Sequence, residues 1–174
     1  STEEQIEQSL AKLQELRVEL LEKRRSFLNN VIGESAFVRM ELVLYGDVST
    51  LEDEYRSLLD LEDGKFVSSV CDRESKQGLL WAFSEWEEAK KVEADLPQLI
   101  SQIKAKTLNI ARGQGSGNHG AFDNRLKKLL ETKPAIFDQL DAWWPEDMLR
   151  VKYSKDPSSG KFDDLEKGSA GQKA

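Results

Sequence analysis

Two short runs of small residues are the places in this chain best suited to chemistry. One is Ala111-Arg112-Gly113-Gln114-Gly115-Ser116-Gly117-Asn118-His119-Gly120, and the other is Gly168-Ser169-Ala170-Gly171-Gln172. Small side chains let backbone N–H groups approach an anion closely. A helix beginning there adds partial positive charge, and a hydroxyl such as that of Ser169 adds a donor. The first run contains Gly115, Gly117 and Gly120 in GxGxxG spacing, which carries weight only directly after a strand, and a charged helical pattern precedes it. A phosphate-cradling GxxxxGK[ST] loop needs its lysine and hydroxyl, but Ala121-Phe122 follow Gly120. The first run therefore reads as a flexible connector. The second, placed after an expected strand–turn–strand, reads as an anion-contacting loop.

Other chemistries lack their groups. Cys71 is the single cysteine and His119 the single histidine, which leaves no ligand set for a zinc site and no ready nucleophile–base pair. One cysteine forms no internal disulfide and suits a reducing, cytoplasmic setting. Glu87-Glu88 and Asp163-Asp164 are paired carboxylates indistinguishable from solvated surface charge. No apolar run reaches the roughly 18 residues that span a bilayer, so no membrane partner is expected. The acidic start STEEQIEQSL is unlike a signal peptide.

Charge is unevenly placed. From Ser101 to Lys133 seven basic residues face Asp123 and Glu131, in a chain of net charge −7. Lys104, Lys106, Arg112, Lys127 and Lys128 are the candidates for holding a nucleic-acid backbone, and the ordinary alternative is a solvated helix face. The acidic remainder argues against general coating of DNA.

These sites need elements to position them. Ile6, Leu13, Leu20 and Phe27 recur every seven residues, widened by Leu10, Leu16 and Leu21, so residues 1–35 read as an arm helix of imperfect coiled-coil type. Arg17 and Arg24 interrupt its seam. Phe37 to Tyr45 alternates like a strand with one buried face, and Ser49 or Thr50 is placed to cap a helix reaching Leu59. Phe66 to Cys71 fits strand or helix equally. Trp81, Phe83 and Trp86 form an aromatic knot between this 36–83 insert and a second helical pattern, 84–110, the expected return arm. Pro97 inside that pattern implies a kink, or two helices joined near Leu96. In 111–174, helices are expected over Phe122–Glu131 and Pro134–Ala142, then a strand Met148–Tyr153, a polar turn 156–160 and a returning strand Lys161–Leu165. The fold class is α+β and predominantly helical: long antiparallel arms, a small strand-containing insert, and a C-terminal hairpin leading to GSAGQ. A charged fraction of 33% also favours helices with much exposed surface.

The run MLRVKYSKDPSSGKFDDLEKGSAGQKA resembles the approach to the signature motif of ABC-type ATPases of the SMC class. With FDNRLKKLLE and WWPEDMLRVKYS it is similar to TrlF-type ATPases, which join such an ATPase to a PHP hydrolase-like domain and are associated with DNA processing and phage defence. The resemblance implies an internal segment of a larger ATPase, its signature touching the γ-phosphate of ATP held by a second head in a dimer. Ser169 would give its hydroxyl, Gly171 its amide, and Gln172 would line the nucleotide. Gly168 stands where the family has leucine, and Ala170 where it has glycine. The phosphate-binding lysine loop, the acidic strand that positions magnesium and the catalytic glutamate are absent from this segment. Magnesium and hydrolysis therefore belong to the parent protein, and no catalytic or metal residue is assigned here. The competing expectation is a stand-alone helical interaction or scaffold module with GSAGQKA as a disordered tail.

Overall fold

The computed structural model of the chain describes residues 2–32, 37–89, 92–114 and 120–164. Two compact units emerge, Ser1–Leu44 with Asp147–Ala174, and Tyr45–Glu146. The first unit is therefore discontinuous in sequence, and the second is inserted into it.

Unit 1 carries helix α1, Thr2–Ile32, and strands β1, Val38–Val43, β2, Met148–Tyr153, and β3, Asp163–Asp164. They form an antiparallel sheet of order β1-β2-β3. The β1–β2 register runs from Val38 opposite Tyr153 to Val43 opposite Met148. Side chains alternate between faces, so this register gathers Val38, Met40 and Leu42 with Tyr153, Val151 and Leu149. The other face places Arg39 and Glu41 opposite Lys152 and Arg150. There Lys152 reaches Glu41 at 2.6 Å and holds that carboxyl below its ordinary range, and the Arg39 guanidinium lies 4.6 Å from the Phe162 ring.

β1 is thus not part of an insert spanning 36–83: it pairs over its whole length with β2. Local patterning reveals that a segment is extended but not which distant segment completes it. Of the expected Lys161–Leu165, Asp163 and Asp164 pair with β2 and Lys161 and Phe162 precede the strand, while Leu165 lies outside the described residues.

On α1 one member of the widened stripe, Leu21, is turned inward, while the heptad positions Leu13, Leu20 and Phe27 are not. Leu21 is 2% exposed, and Arg25 donates to the Leu42 carbonyl at 3.3 Å. Leu13, Leu16, Leu20, Phe27 and Val31 instead remain between 46% and 65% exposed. A 31-residue helix is longer than most in globular proteins, and such helices are stabilised mainly by packing.

Unit 2 is helical: α2 Val48–Leu58, α3 Val67–Val70, α4 Trp81–Glu88, α5 Leu96–Ala111, α6 Ala121–Thr132 and α7 Ala135–Ala142. The cap of α2 is Asp47 rather than Ser49 or Thr50; its carboxylate accepts the Thr50 amide at 2.9 Å. The expected helix Ser84–Asn109 is broken after Glu88, and a single 3-10 turn at Glu93–Asp95 precedes α5. Pro97 sits in the first turn of α5, where its missing N–H leaves no bond unmade, so it starts a helix rather than kinking one. Among the alternatives left by the sequence, Phe66–Cys71 contains one helical turn.

The core of unit 2 is formed by Leu51, Tyr55, Leu59, Leu80, Phe83, Leu96, Ile100, Ile103, Leu126 and Leu129, all 2% exposed or less. α5 turns Ile100, Ile103, Thr107 and Ala111 inward and packs on α6 and α7, so its apolar face is covered within its own unit. It is not a free arm helix offering a seam. At the centre, Thr107 Oγ1 donates to the Ile103 carbonyl at 2.8 Å. The Tyr55 hydroxyl, 2.8 Å from Thr107 Oγ1, is then the donor to it. Arg56 is 4% exposed, and its guanidinium donates to Glu52 at 2.8 Å and to the Lys65 carbonyl at 2.7 Å, pinning the loop after α2. Gly78 has φ +114°, and a Cβ there would lie 2.6 Å from the Val70 carbonyl oxygen.

Gly78→Ala is expected to lower stability by at least about 2 kcal/mol in urea unfolding, from strained φ plus backbone collision. Gly64→Ala, with φ +72° but open space around it, is the control and should cost only about 1 kcal/mol. Burial pushes the Tyr55 phenol well above its ordinary value of 10.0, opposed in part by the Thr107 contact. The protonated form is therefore stabilising at neutral pH, and that stabilisation is lost as pH rises through the folded-state value. In an alkaline titration followed by phenolate absorbance, the signal missing from Tyr55→Phe should develop in the parent chain only as the fold is lost.

Candidate functional site

Ser169, Gly171 and Gln172 lie outside the described residues, as do residues 115–119, half of the glycine-rich connector and His119 with it. What is placed is the approach to the loop: β2 is held on both edges, by β1 and by β3, up to Asp164. Between β2 and β3 the Asp156 carboxylate accepts the Ser158 amide at 3.0 Å and the Ser158 hydroxyl at 2.6 Å, and these bonds lower its pKa. Gly160 closes that turn at φ +64°. The turn is thus ordered by its own side chains.

The basic candidates separate into two groups. Lys104 is 8% exposed; its ammonium donates to the Asp141 carbonyl at 2.7 Å and lies 4.0 Å from the centre of the Trp144 ring. It is engaged in holding α7 and the segment after it, and is not presented to a phosphate backbone. A buried ammonium must be paired or held against a ring, and here it has both. Lys127 is half-buried, its stem 3.6 Å from where a Cβ on Gly113 would stand, close in sequence to Arg112. Lys106, Arg112 and Lys128 are exposed.

Two further members of the positive cluster, Arg125 and Lys133, converge on Asp60, the first donating to its carbonyl at 2.7 Å and its carboxylate at 3.2 Å, the second 3.4 Å from the carboxylate. Lys133, with Arg125 behind it, holds the Asp60 carboxyl below its usual range. Asp60 sits at φ +52° just beyond α2, so this pair secures the end of that helix. The excess of positive charge read from residues 101–133 is therefore partly internal scaffolding.

One cleft in unit 2 escaped the sequence. Asp53, Glu54, Ser57 and Leu58 from α2 face Trp143, Trp144 and Glu146 around a space of about 600 Å3. The α2 residues recur at helical spacing, which sets them along one flank. α7 stops at Ala142 because Pro145 disfavours helical geometry in the residue before it, and Trp143 is extended. Glu54 is fixed within the cleft: its Oε2 accepts the Trp143 indole N–H at 3.0 Å, and its Oε1 is 3.5 Å from the Glu146 amide. Adjacent tryptophans before a proline are a visible signal, but nothing local couples them to a glutamate nearly ninety positions earlier.

Cys71 is 3% exposed, and burial, with the Glu52 carboxylate adding to it, raises its thiol pKa, so it is poorly disposed to act as a nucleophile. Among the described residues no group of three or more His, Cys, Asp or Glu side chains could hold a metal, and no helix is long and apolar enough to cross a membrane. Comparison with protein-family models, curated proteins and solved structures returned no match.

Removing Lys104 should expose which group it belongs to. Lys104→Ala is expected to lower stability by about 1–3 kcal/mol, whereas Lys106→Ala and Lys128→Ala should stay within about 0.5 kcal/mol, as measured by denaturant midpoints.

Proposed function

We propose that this chain is an internal segment of an SMC-like ABC-type ATPase, closest to the TrlF type, and that its GSAGQ loop closes over ATP bound by a second ATPase head. The observation that carries the reading is the placement of Gly168-Ser169-Ala170-Gly171-Gln172 only a few residues beyond β3, the last strand of an ordered sheet. A loop that must meet a triphosphate held by another subunit needs such a rigid base, since misplacement of donors by an ångström costs much of their effect. Ser169 would donate its hydroxyl, Gly171 its amide, and Gln172 would order the loop. Magnesium and the attacking water belong to the parent protein's own nucleotide-binding elements.

Two further features support the reading. Unit 2 interrupts unit 1 between paired strands, as an excursion from a head does. The uncovered apolar stripe of α1 suits a coiled-coil arm whose partner helix lies elsewhere in the parent or its dimer. Contact of the parent with DNA, in processing or phage defence, is part of the same proposal; Lys106, Arg112 and Lys128, with Lys127 beside them, are the cations left to serve it. A helical scaffold module is the second reading, and the same α1 stripe is the observation that favours it.

In the intact protein, Ser169→Arg is expected to abolish ATP turnover while leaving nucleotide binding by a single head nearly unchanged. Normal turnover in that variant would remove the assigned role. A parent gene that encodes no phosphate-binding lysine loop would leave only the scaffold reading.

A further inference from the structure

We infer that the cleft between α2 and the Trp143-Trp144-Pro145-Glu146 segment binds an organic cation, the ammonium or guanidinium end of an alkyl chain, independently of any nucleotide role. The lining holds three carboxylates, Asp53, Glu54 and Glu146, two indoles and no basic side chain. None of the three carboxylates is ion-paired among the described residues, whereas carboxylates elsewhere in unit 2 do find cations, as Glu52 and Asp60 show. An anion would be repelled here. A neutral apolar ligand would bury part of Glu54 without satisfying it.

The aromatic contribution is independent of that charge. An indole face attracts a cation through its quadrupole, and guanidinium stacks on it as well. The chain itself displays this preference: the Lys104 ammonium rests 4.0 Å from the Trp144 ring centre. Trp143 adds a second ring, tilted 55° against Tyr55 behind it and anchored by its N–H to Glu54.

Preorganisation is the third element. The Trp143 indole and the Glu146 amide fix the Glu54 carboxylate, so little freedom is lost when a cation arrives. Each carboxylate oxygen keeps a lone pair beyond the one those donors use. A space of about 600 Å3 is within the range of small-ligand pockets and admits an alkyl stem. Two sources share this chemistry: a lysine or arginine side chain of a partner protein, and a free polyamine.

The test uses the whole chain with 15N-labelled indoles and follows the Trp143 Nε1–H signal by NMR. N-propylguanidinium and n-propylammonium should each shift that signal saturably, and N-propylurea, matching in shape but uncharged, should not. Glu54→Gln keeps an oxygen for the Trp143 N–H and should keep the denaturation midpoint while weakening binding at least tenfold. Glu146→Gln, an exposed change, should weaken it several-fold without touching the indole contact. An equal response to the urea, or unchanged binding in both variants, overturns the proposal. Capped tripeptides centred on arginine or lysine, compared with spermidine, then separate the sources. Tighter peptide binding assigns the cleft to a protein side chain, and tighter spermidine binding to a free polyamine. Failure of both to bind overturns the proposal.

Discussion

The structure depends on the two ends of unit 2 meeting. A Cβ on Gly46 would lie 3.4 Å from the Glu146 carbonyl oxygen, and the Tyr45 and Trp144 rings are 5.9 Å apart. Without that closure, pairing β1 with β2 would have to hold shut a flexible loop of about a hundred residues. The entropy of closing a loop grows only slowly with its length but must be met before the strands gain anything. Folding of unit 2 around its own core supplies the closure, and the β1–β2 ladder can form much as a hairpin would. Tyr45 and Gly46, both at positive φ, make the sharp exit from the sheet.

Closure in turn depends on cations that composition alone would place outside. Lys104 ties the end of α7 to α5 through the Asp141 carbonyl and steadies Trp144, one of the residues that meet at the junction. Arg56, Arg125 and Lys133 secure the loop and carbonyls that follow α2. A protein of net charge −7 thus buries two of its cations, Arg56 and Lys104, as internal struts and pairs Arg125 and Lys133 with Asp60 nearer the surface. Asp53 and Glu146 are among the acids left exposed.

Much of the local structure was legible. β2 has the expected bounds Met148–Tyr153, and α6 and α7 fall within a residue or so of their expected spans, because periodicity, Pro134 and Pro145 act over a few residues. The α+β class and the predominance of helix follow from the same signals. Pro97 was legible locally: of the kink or the two helices joined near Leu96 that it implied, the second is found, with α5 beginning at Leu96. Two readings failed for non-local reasons. β1 was recognised as a strand, but its partner lies beyond all of unit 2. Lys104 looked like surface charge because nothing near it in sequence reveals Asp141 or Trp144. The aromatic–acidic cleft was illegible for the same reason, since only tertiary folding brings Glu54 to Trp143. The Gly168-Ser169-Ala170-Gly171-Gln172 run lies outside the described residues, and its assignment as a signature remains a proposal.

The adjacency of the ends of unit 2 has a mechanical corollary. Tension entering through α1 and leaving beyond β3 crosses directly from β1 to β2 through the ladder that joins Val38–Val43 to Met148–Tyr153. Unit 2 is then a side branch outside the load path, and its helices carry none of the force while the ladder holds. Because the chain enters β1 at Val38 and leaves β2 at the facing Tyr153, load would peel the ladder open from that pair, and strain in the sheet stays decoupled from the inserted unit until the strands part.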